Sequence, residues 1–113
     1  MSGKFFNCIV VELFSVHCDD FTDLLHAKLS KLIDIIVNNA GFSHRITPLC
    51  ELAEEDYDRV FATNTKSVYL AAVHGVPLLR KRGGGSIINT ASIGAIRPRA
   101  NVTAYNATKG AVV

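Results

Sequence analysis

Ser86-Ile87-Ile88-Asn89-Thr90-Ala91-Ser92, with Tyr105-Asn106-Ala107-Thr108-Lys109 beginning thirteen positions after its last serine, is the stretch from which the rest of the chain is read. The first segment comes after Gly83 to Gly85, is rich in β-favouring residues and ends in small polar ones. That pattern predicts a buried strand whose carboxyl end opens into a loop. Tyr105 and Lys109 stand four apart in an alanine-containing segment without proline, so on a helix they rise on one face, one turn apart. A tyrosine hydroxyl in water is too weak an acid to exchange its proton readily at neutral pH, but a nearby ammonium stabilises the phenolate and makes the group a usable proton donor or acceptor. Ser92, at the mouth of a strand in an α/β sheet, could hold a carbonyl or alcohol oxygen beside that phenol. The constellation suits interconversion of a carbonyl and an alcohol.

A tyrosine and a lysine four apart also occur by chance on exposed helices, so the pair gains its meaning from what surrounds it. With Asn38-Asn39-Ala40-Gly41 upstream, the strand serine, and the serine-to-tyrosine spacing, the combination resembles the short-chain dehydrogenase/reductase family from about His17 to Val113. The resemblance implies an oxidoreductase that passes hydride between NAD or NADP and a carbonyl or secondary alcohol. It implies Tyr105 as general acid/base, Lys109 as the cation that stabilises the phenolate and binds the nicotinamide ribose, and Ser92 as the group that polarises the substrate oxygen. Asn64 would complete a proton relay, opening a local kink in its helix and holding a water. Asp19, Asn38, Asn39, Ala40 and Gly41, with Tyr105 and Lys109, would line the cofactor. The fold implied is α/β: a partial Rossmann-like, doubly wound parallel sheet of about three strands with flanking helices, forming one truncated domain over residues 1–113.

Composition narrows the partners. The chain of 113 residues and 12.3 kDa is 49% hydrophobic, enough for one core. A formal net charge of +2, with no basic tract beyond Arg80-Lys81-Arg82, argues against nucleic acid. Three cysteines, Cys8, Cys18 and Cys50, lack metal-ligand spacing and are odd in number, which fits a reduced, cytoplasmic setting. The four scattered histidines predict no metal site. The apolar run Phe5 to Val16 is too short and too polar to span a bilayer, so no membrane is expected.

The remaining elements are taken in chain order. Ile9 to His17 reads as a strand closed by Cys18-Asp19. The resemblance puts Asp19 near an adenine ring, while the residues alone allow Asp19 or Asp20 simply to cap the next helix. Phe21, Leu24, Leu25, Leu29 and Leu32 share one face of an amphipathic helix. Ile33 to Val37 predicts a strand buried on both faces, running into the turn Asn38 to Gly41. Such small residues let a cofactor approach the backbone, and the asparagine amides can bond a neighbouring strand and a ribose; an ordinary turn uses the same residues.

A loop from Gly41 to Ala53 leads to one long helix, Glu54 to Arg82, acidic at its start and basic at its end as the helix dipole prefers. Its apolar residues exceed one stripe, and in the resembled family this helix builds a homo-oligomer interface. Asn64, between two threonines, is either the relay residue or a polar residue on the solvent face. Pro77 is expected to bend the helix. Gly83 to Gly85 reads as a return turn and not as a phosphate cradle. After Ser92, residues 93–102 form the loop by which substrate would enter, Arg97 and Arg99 being equally suited to an acidic substrate or to solvent. Thr103 is expected to cap the tyrosine helix.

In the resembled family the strand order is 3-2-1-4-5-6-7, with a glycine-rich phosphate loop after the first strand. The available strands correspond to the third, fourth and fifth, leaving a gap between third and fourth that the sheet must close or leave unpaired. An alternative of a different class therefore stands beside the enzyme: a truncated, inactive chain acting through its long helix as an interaction module. Substrate identity, NAD against NADP, and stereochemistry are outside what these residues specify.

Overall fold

A computed structural model describes residues 8–11 and 33–113. Three parallel strands form one sheet: β1 (Cys8–Val11), β2 (Ile35–Asn38) and β3 (Ser86–Asn89), in spatial order β1-β2-β3. Helices α1 (Glu54–Phe61), α2 (Ser67–Arg82) and α3 (Thr103–Gly110) accompany them, with a π-helical turn at Ala62–Lys66 joining α1 to α2. The α/β class and the parallel sheet are as expected. The amphipathic segment Phe21 to Leu32 and Asp19 lie outside the described residues.

The expected gap between strands is closed. β1 pairs directly with β2, Cys8 opposite Ile35 and Val11 opposite Asn38. In the order 3-2-1-4, the neighbour of the fourth strand is the first, so β1 takes that place and not the third strand's. The physical reason is the free edge of β2, whose unpaired N–H and C=O groups are costly to leave unmet. The strand expected from Ile9 to His17 is observed as Cys8–Val11, and residues 12–17 lie outside the described residues.

β2 alternates in burial, Ile36 at 1% exposure facing the helices and Ile35 and Val37 half-buried, instead of being buried on both faces. β3 departs further from expectation. It ends at Asn89, only Ile87 joins the core, and Ile88 is 52% exposed, because β3 is an edge strand covered chiefly on the α2 side. The core gathers Ile33, Ile36, Leu70, Ala71 and Leu79, with Leu78 and Ile87 packed against it. Gly75 permits the close approach of α2 to β2, since a Cβ there would collide with Cδ1 of Ile36.

The helical run 54–82 is continuous, as expected, and ends in a Schellman turn. Gly83 takes φ 100°, its N–H donating to Arg80 and that of Gly84 to Leu79. Arg82 then ties the helix end to the start of β2, its Nε 3.0 Å from Oδ1 of Asp34. Among the described residues no helix is long and apolar enough to cross a membrane.

Candidate active site

The carboxyl ends of β2 and β3, the π-helical turn and α3 converge on one place. Asn64 sits in the π-helical turn with 1% exposure, which excludes the solvent-face alternative. The local irregularity expected at Asn64 is this wider turn, and such turns occur often at functional sites. Its amide is bonded at both ends: Oδ1 accepts from the N–H of Phe42 at 2.8 Å, while Nδ2 donates to the Phe42 carbonyl and to Thr108 Oγ1, both at 2.9 Å. The Thr108 hydroxyl in turn donates to the carbonyl of Tyr105 at 2.7 Å. Phe42 is held on its ring side too, with the Arg59 guanidinium 4.1 Å from its centroid.

Lys109 is 4% exposed and donates from Nζ to the Thr90 carbonyl at 2.8 Å. An ammonium has three donors, so two remain for a ligand. Gly41 lies directly over it: a Cβ built on Gly41 would stand 3.6 Å from Lys109 Nζ and 3.9 Å from Asn64 Oδ1. Gly41 itself is exposed, leaving its backbone open to close approach.

The asparagine turn is braced against β3. Asn38 Nδ2 donates across the sheet to Asn89 Oδ1 at 2.8 Å, while Asn38 Oδ1 is buried without a partner. Asn39 Oδ1 accepts from the Thr90 hydroxyl at 3.1 Å, and the Thr90 N–H donates to the Asn38 carbonyl. Ala40 is half-buried between Asn39 and Gly41. The asparagines thus bond the neighbouring strand, as their amides allow.

Ser92 lies beyond β3, where it caps a short 3-10 turn, Ile93–Ala95, with Oγ accepting from the Gly94 N–H at 3.2 Å. A Cβ built on Gly94 would be 3.5 Å from Ser92 Oγ and 3.7 Å from Tyr105 Cε1, so the serine oxygen and the tyrosine ring flank the same glycine. Tyr105 and Lys109 lie one turn apart on α3. Arg97 and Arg99 are exposed. Thr103 does not cap α3: the N-cap is Val102, with no side-chain cap bond, and Thr103 is the first helical residue.

The geometry accordingly groups Gly41, Asn64 and Lys109 on one side and Ser92 and Tyr105 on the other, joined through α3. The Tyr105 ring and the Ser92 hydroxyl both lie near Gly94, and the buried Lys109 stands one turn along α3. Residues 12–113 match the family described as short chain dehydrogenase. The chain belongs to the short chain dehydrogenase family. It is 35% identical over 96 residues to a 4-formylbenzenesulfonate dehydrogenase of Comamonas testosteroni, covering 83% of this chain and 38% of that protein. It is 38% identical over 81 residues to dehydrogenase/reductase SDR family member 4 of Oryctolagus cuniculus, covering 72% of this chain and 31% of that one.

Among solved structures, a 3-ketoacyl-(acyl-carrier-protein) reductase from Brucella melitensis complexed with NADH superimposes with a TM-score of 0.78 at 38% identity, over 83% of this chain and 41% of that one. A metagenomic short-chain oxidoreductase in complex with NADP gives 0.80 at 30% identity, over 85% and 44%. The chain spans less than two fifths of the length of the curated relatives it matches.

Exposed Gly41 beside Lys109, whose ammonium bonds only the Thr90 carbonyl, is a donor set compatible with the hydroxyls of a ribose. The described residues do not supply a phosphate loop, because no glycine occurs anywhere between Gly3 and Gly41. Thr108, Thr90, Gly94 and Asn106 belong to the site and were not singled out from sequence. Thr108 and Asn106 lie inside the tyrosine-to-lysine segment, and polar residues beside alanines in a helix meant to pack were the available signal.

Proposed function

We propose that the polypeptide carrying this chain is an oxidoreductase acting on a carbonyl or secondary alcohol of a small molecule, with NAD or NADP as the hydride carrier. The nearness of both Ser92 Oγ and the Tyr105 ring to Gly94, with Lys109 buried one turn along α3, is the observation that carries this reading. Ser92 would hold the substrate oxygen and Tyr105 would give it a proton during reduction or take one during oxidation. Lys109 would favour the phenolate and bind the nicotinamide ribose through the donors that Thr90 leaves spare. Asn64 would hold the Phe42 backbone and, through Thr108, the tyrosine helix, in register with the relay. Asn38, Asn39, Ala40 and Gly41, with Asp19, would line the cofactor.

A nicotinamide dinucleotide would supply the hydride acceptor or donor. Two solved relatives support it, one bound to NADH and the other to NADP. Tyr57, Phe61, Thr65, Tyr69 and Val73 recur at four-residue intervals along the run from α1 to α2, and Phe61, Thr65 and Tyr69 line a groove of about 450 Å³. That stripe supports association with a second copy through the 54–82 helix. The modest charge and lack of a basic tract support a cytoplasmic protein that engages neither nucleic acid nor membrane.

The test is oxidation of reduced cofactor by a panel of aldehydes and ketones, using the native polypeptide and its Tyr105→Phe variant. Turnover lost in the variant, with cofactor fluorescence titrating as before, is the expected result. Equal turnover in both removes Tyr105 from the chemistry.

A further inference from the structure

Asn106 is the residue after Tyr105 on α3, it is 8% exposed, and its amide reaches the entrance loop at Gly94 and Arg99. Nδ2 donates to the carbonyl of Arg99 at 2.7 Å, near the loop's far end. A carbonyl can only accept, so the amide nitrogen must face Arg99, and Oδ1 is thereby turned toward the near end. There it fills the space beside Gly94: a Cβ built on Gly94 would lie 2.8 Å from Oδ1. Oδ1 has no hydrogen-bond partner and is buried, an arrangement that costs stability. Gly94 in turn donates its N–H to Ser92 Oγ.

We infer that Asn106 is a positioning residue, its amide gripping the entrance loop at Arg99 and Gly94 so that Ser92 Oγ is held at a set place relative to Tyr105. The inference rests on the oxidoreductase reading for its consequence in turnover, but not for the grip itself. Because Asn106 adjoins Tyr105, the loop is referred to the helix turn that carries the phenol. Without the amide, Gly94 has room to shift, Ser92 Oγ moves with it, and the alignment of hydroxyl and phenol is lost. Gly94 is glycine for lack of space and not for its backbone angles, since its φ is not positive.

The experiment compares the native polypeptide with Asn106→Ala, Asn106→Asp, Gly94→Ala and the double variant Gly94→Ala/Asn106→Ala. The first readout is tryptic cleavage at the Arg99–Ala100 bond, whose own carbonyl Asn106 holds, measured against the exposed Arg82–Gly83 bond in the same sample. The expected result is a cleavage ratio raised roughly tenfold in Asn106→Ala and Asn106→Asp. An unchanged ratio overturns the grip.

The second readout is hydride transfer. Loss of kcat by about tenfold or more, with cofactor affinity retained, is expected for Asn106→Ala, and the double variant should be no worse than Asn106→Ala alone because the collision partner of the new methyl is gone. A raised cleavage ratio with unchanged kcat, or fully additive losses in the double variant, overturns the positioning role. A native polypeptide that transfers no hydride refutes the oxidoreductase reading instead, and the grip is then decided by the cleavage ratio alone.

Discussion

Asn64 and Thr108, forty-four residues apart, meet in a buried 2.9 Å hydrogen bond that fastens the π-helical turn to the tyrosine helix. Asn64 directs its remaining hydrogen-bonding capacity to the backbone of Phe42, next to Gly41. One amide therefore sets the mutual placement of the asparagine turn, the long helix and α3. Leucine at this position would leave the Phe42 N–H and C=O without their partner and remove the donor to the Thr108 hydroxyl, which keeps its own bond to the Tyr105 carbonyl. Asn64→Leu is expected to destabilise the fold by about 3 kcal/mol, from several orphaned groups at ~1–3 kcal/mol each. Urea unfolding of the native polypeptide and the variant measures it, and a midpoint unchanged at equal slope contradicts the account.

Thr108 tests the same link from the other side. Thr108→Val keeps the shape and deletes the hydroxyl that both receives from Asn64 and donates to the Tyr105 carbonyl. A loss of about 1–2 kcal/mol is expected. Combined with Asn64→Leu the losses should fall short of their sum, since both remove one shared bond; strict additivity in the double-mutant cycle would show the bond to be energetically idle.

At Gly75 two effects oppose each other. Alanine would gain ~1 kcal/mol in helix propensity over glycine. Its methyl would meet Ile36 Cδ1, however, and Ile36 is 1% exposed with little space to yield. Overpacking costs ~1–3 kcal/mol, so Gly75→Ala should be net destabilising. Ile36→Val removes the colliding carbon, and in that background Gly75→Ala should turn stabilising. Thermal unfolding of the four proteins reads the sign, and Gly75→Ala that stabilises with Ile36 intact would mean that α2 sits farther from β2.

The Arg82–Asp34 pair makes the contrasting case. Its side chains are 33% and 16% exposed, so water screens the attraction. Arg82→Ala should cost no more than about 1 kcal/mol in thermal or urea unfolding. A loss several times larger would indicate that the helix end is held to β2 by this pair more than by the Schellman turn.

If the outer stripe of α1 and α2 joins two copies, Tyr69→Glu should separate them. Tyr69 is 63% exposed in the single chain, so the substitution should leave folding nearly untouched. Sedimentation of the native polypeptide and the variant distinguishes the cases: equal oligomeric states would place the interface elsewhere.

Much of this arrangement was legible in local pattern. The long helix, with Glu54 to Asp56 at one end and Arg80 to Arg82 at the other, and the strand-turn of Ile35 to Gly41 are encoded by neighbours in sequence. Tyr105 and Lys109 fall on one helix because four residues make about a turn. Non-local relations were not legible. Whether β1 joins β2 depends on an edge that β2 cannot display in its own residues, and the exposure of Ile88 depends on which layers cover β3. The resemblance favoured the relay reading of Asn64 over the solvent face, but its partners Phe42 and Thr108 were not legible, because an amide's partners are brought by tertiary folding. Thr103 looked like a cap, but the helix starts on Thr103 itself, leaving Val102 outside.

The anchoring by Asn64 also has a kinetic side. Its partners are twenty-two and forty-four residues distant, so the Phe42 bonds require the loop to meet the long helix and the Thr108 bond further requires α3 to dock. Closing such separations carries an entropic cost that is recovered only when the last contact forms. Release of α3 alone would break the Asn64–Thr108 and Lys109–Thr90 bonds while leaving the Asn38–Asn89 and Asn64–Phe42 bonds in place, so the asparagine turn can outlast the tyrosine helix and the site is lost first at its α3 side.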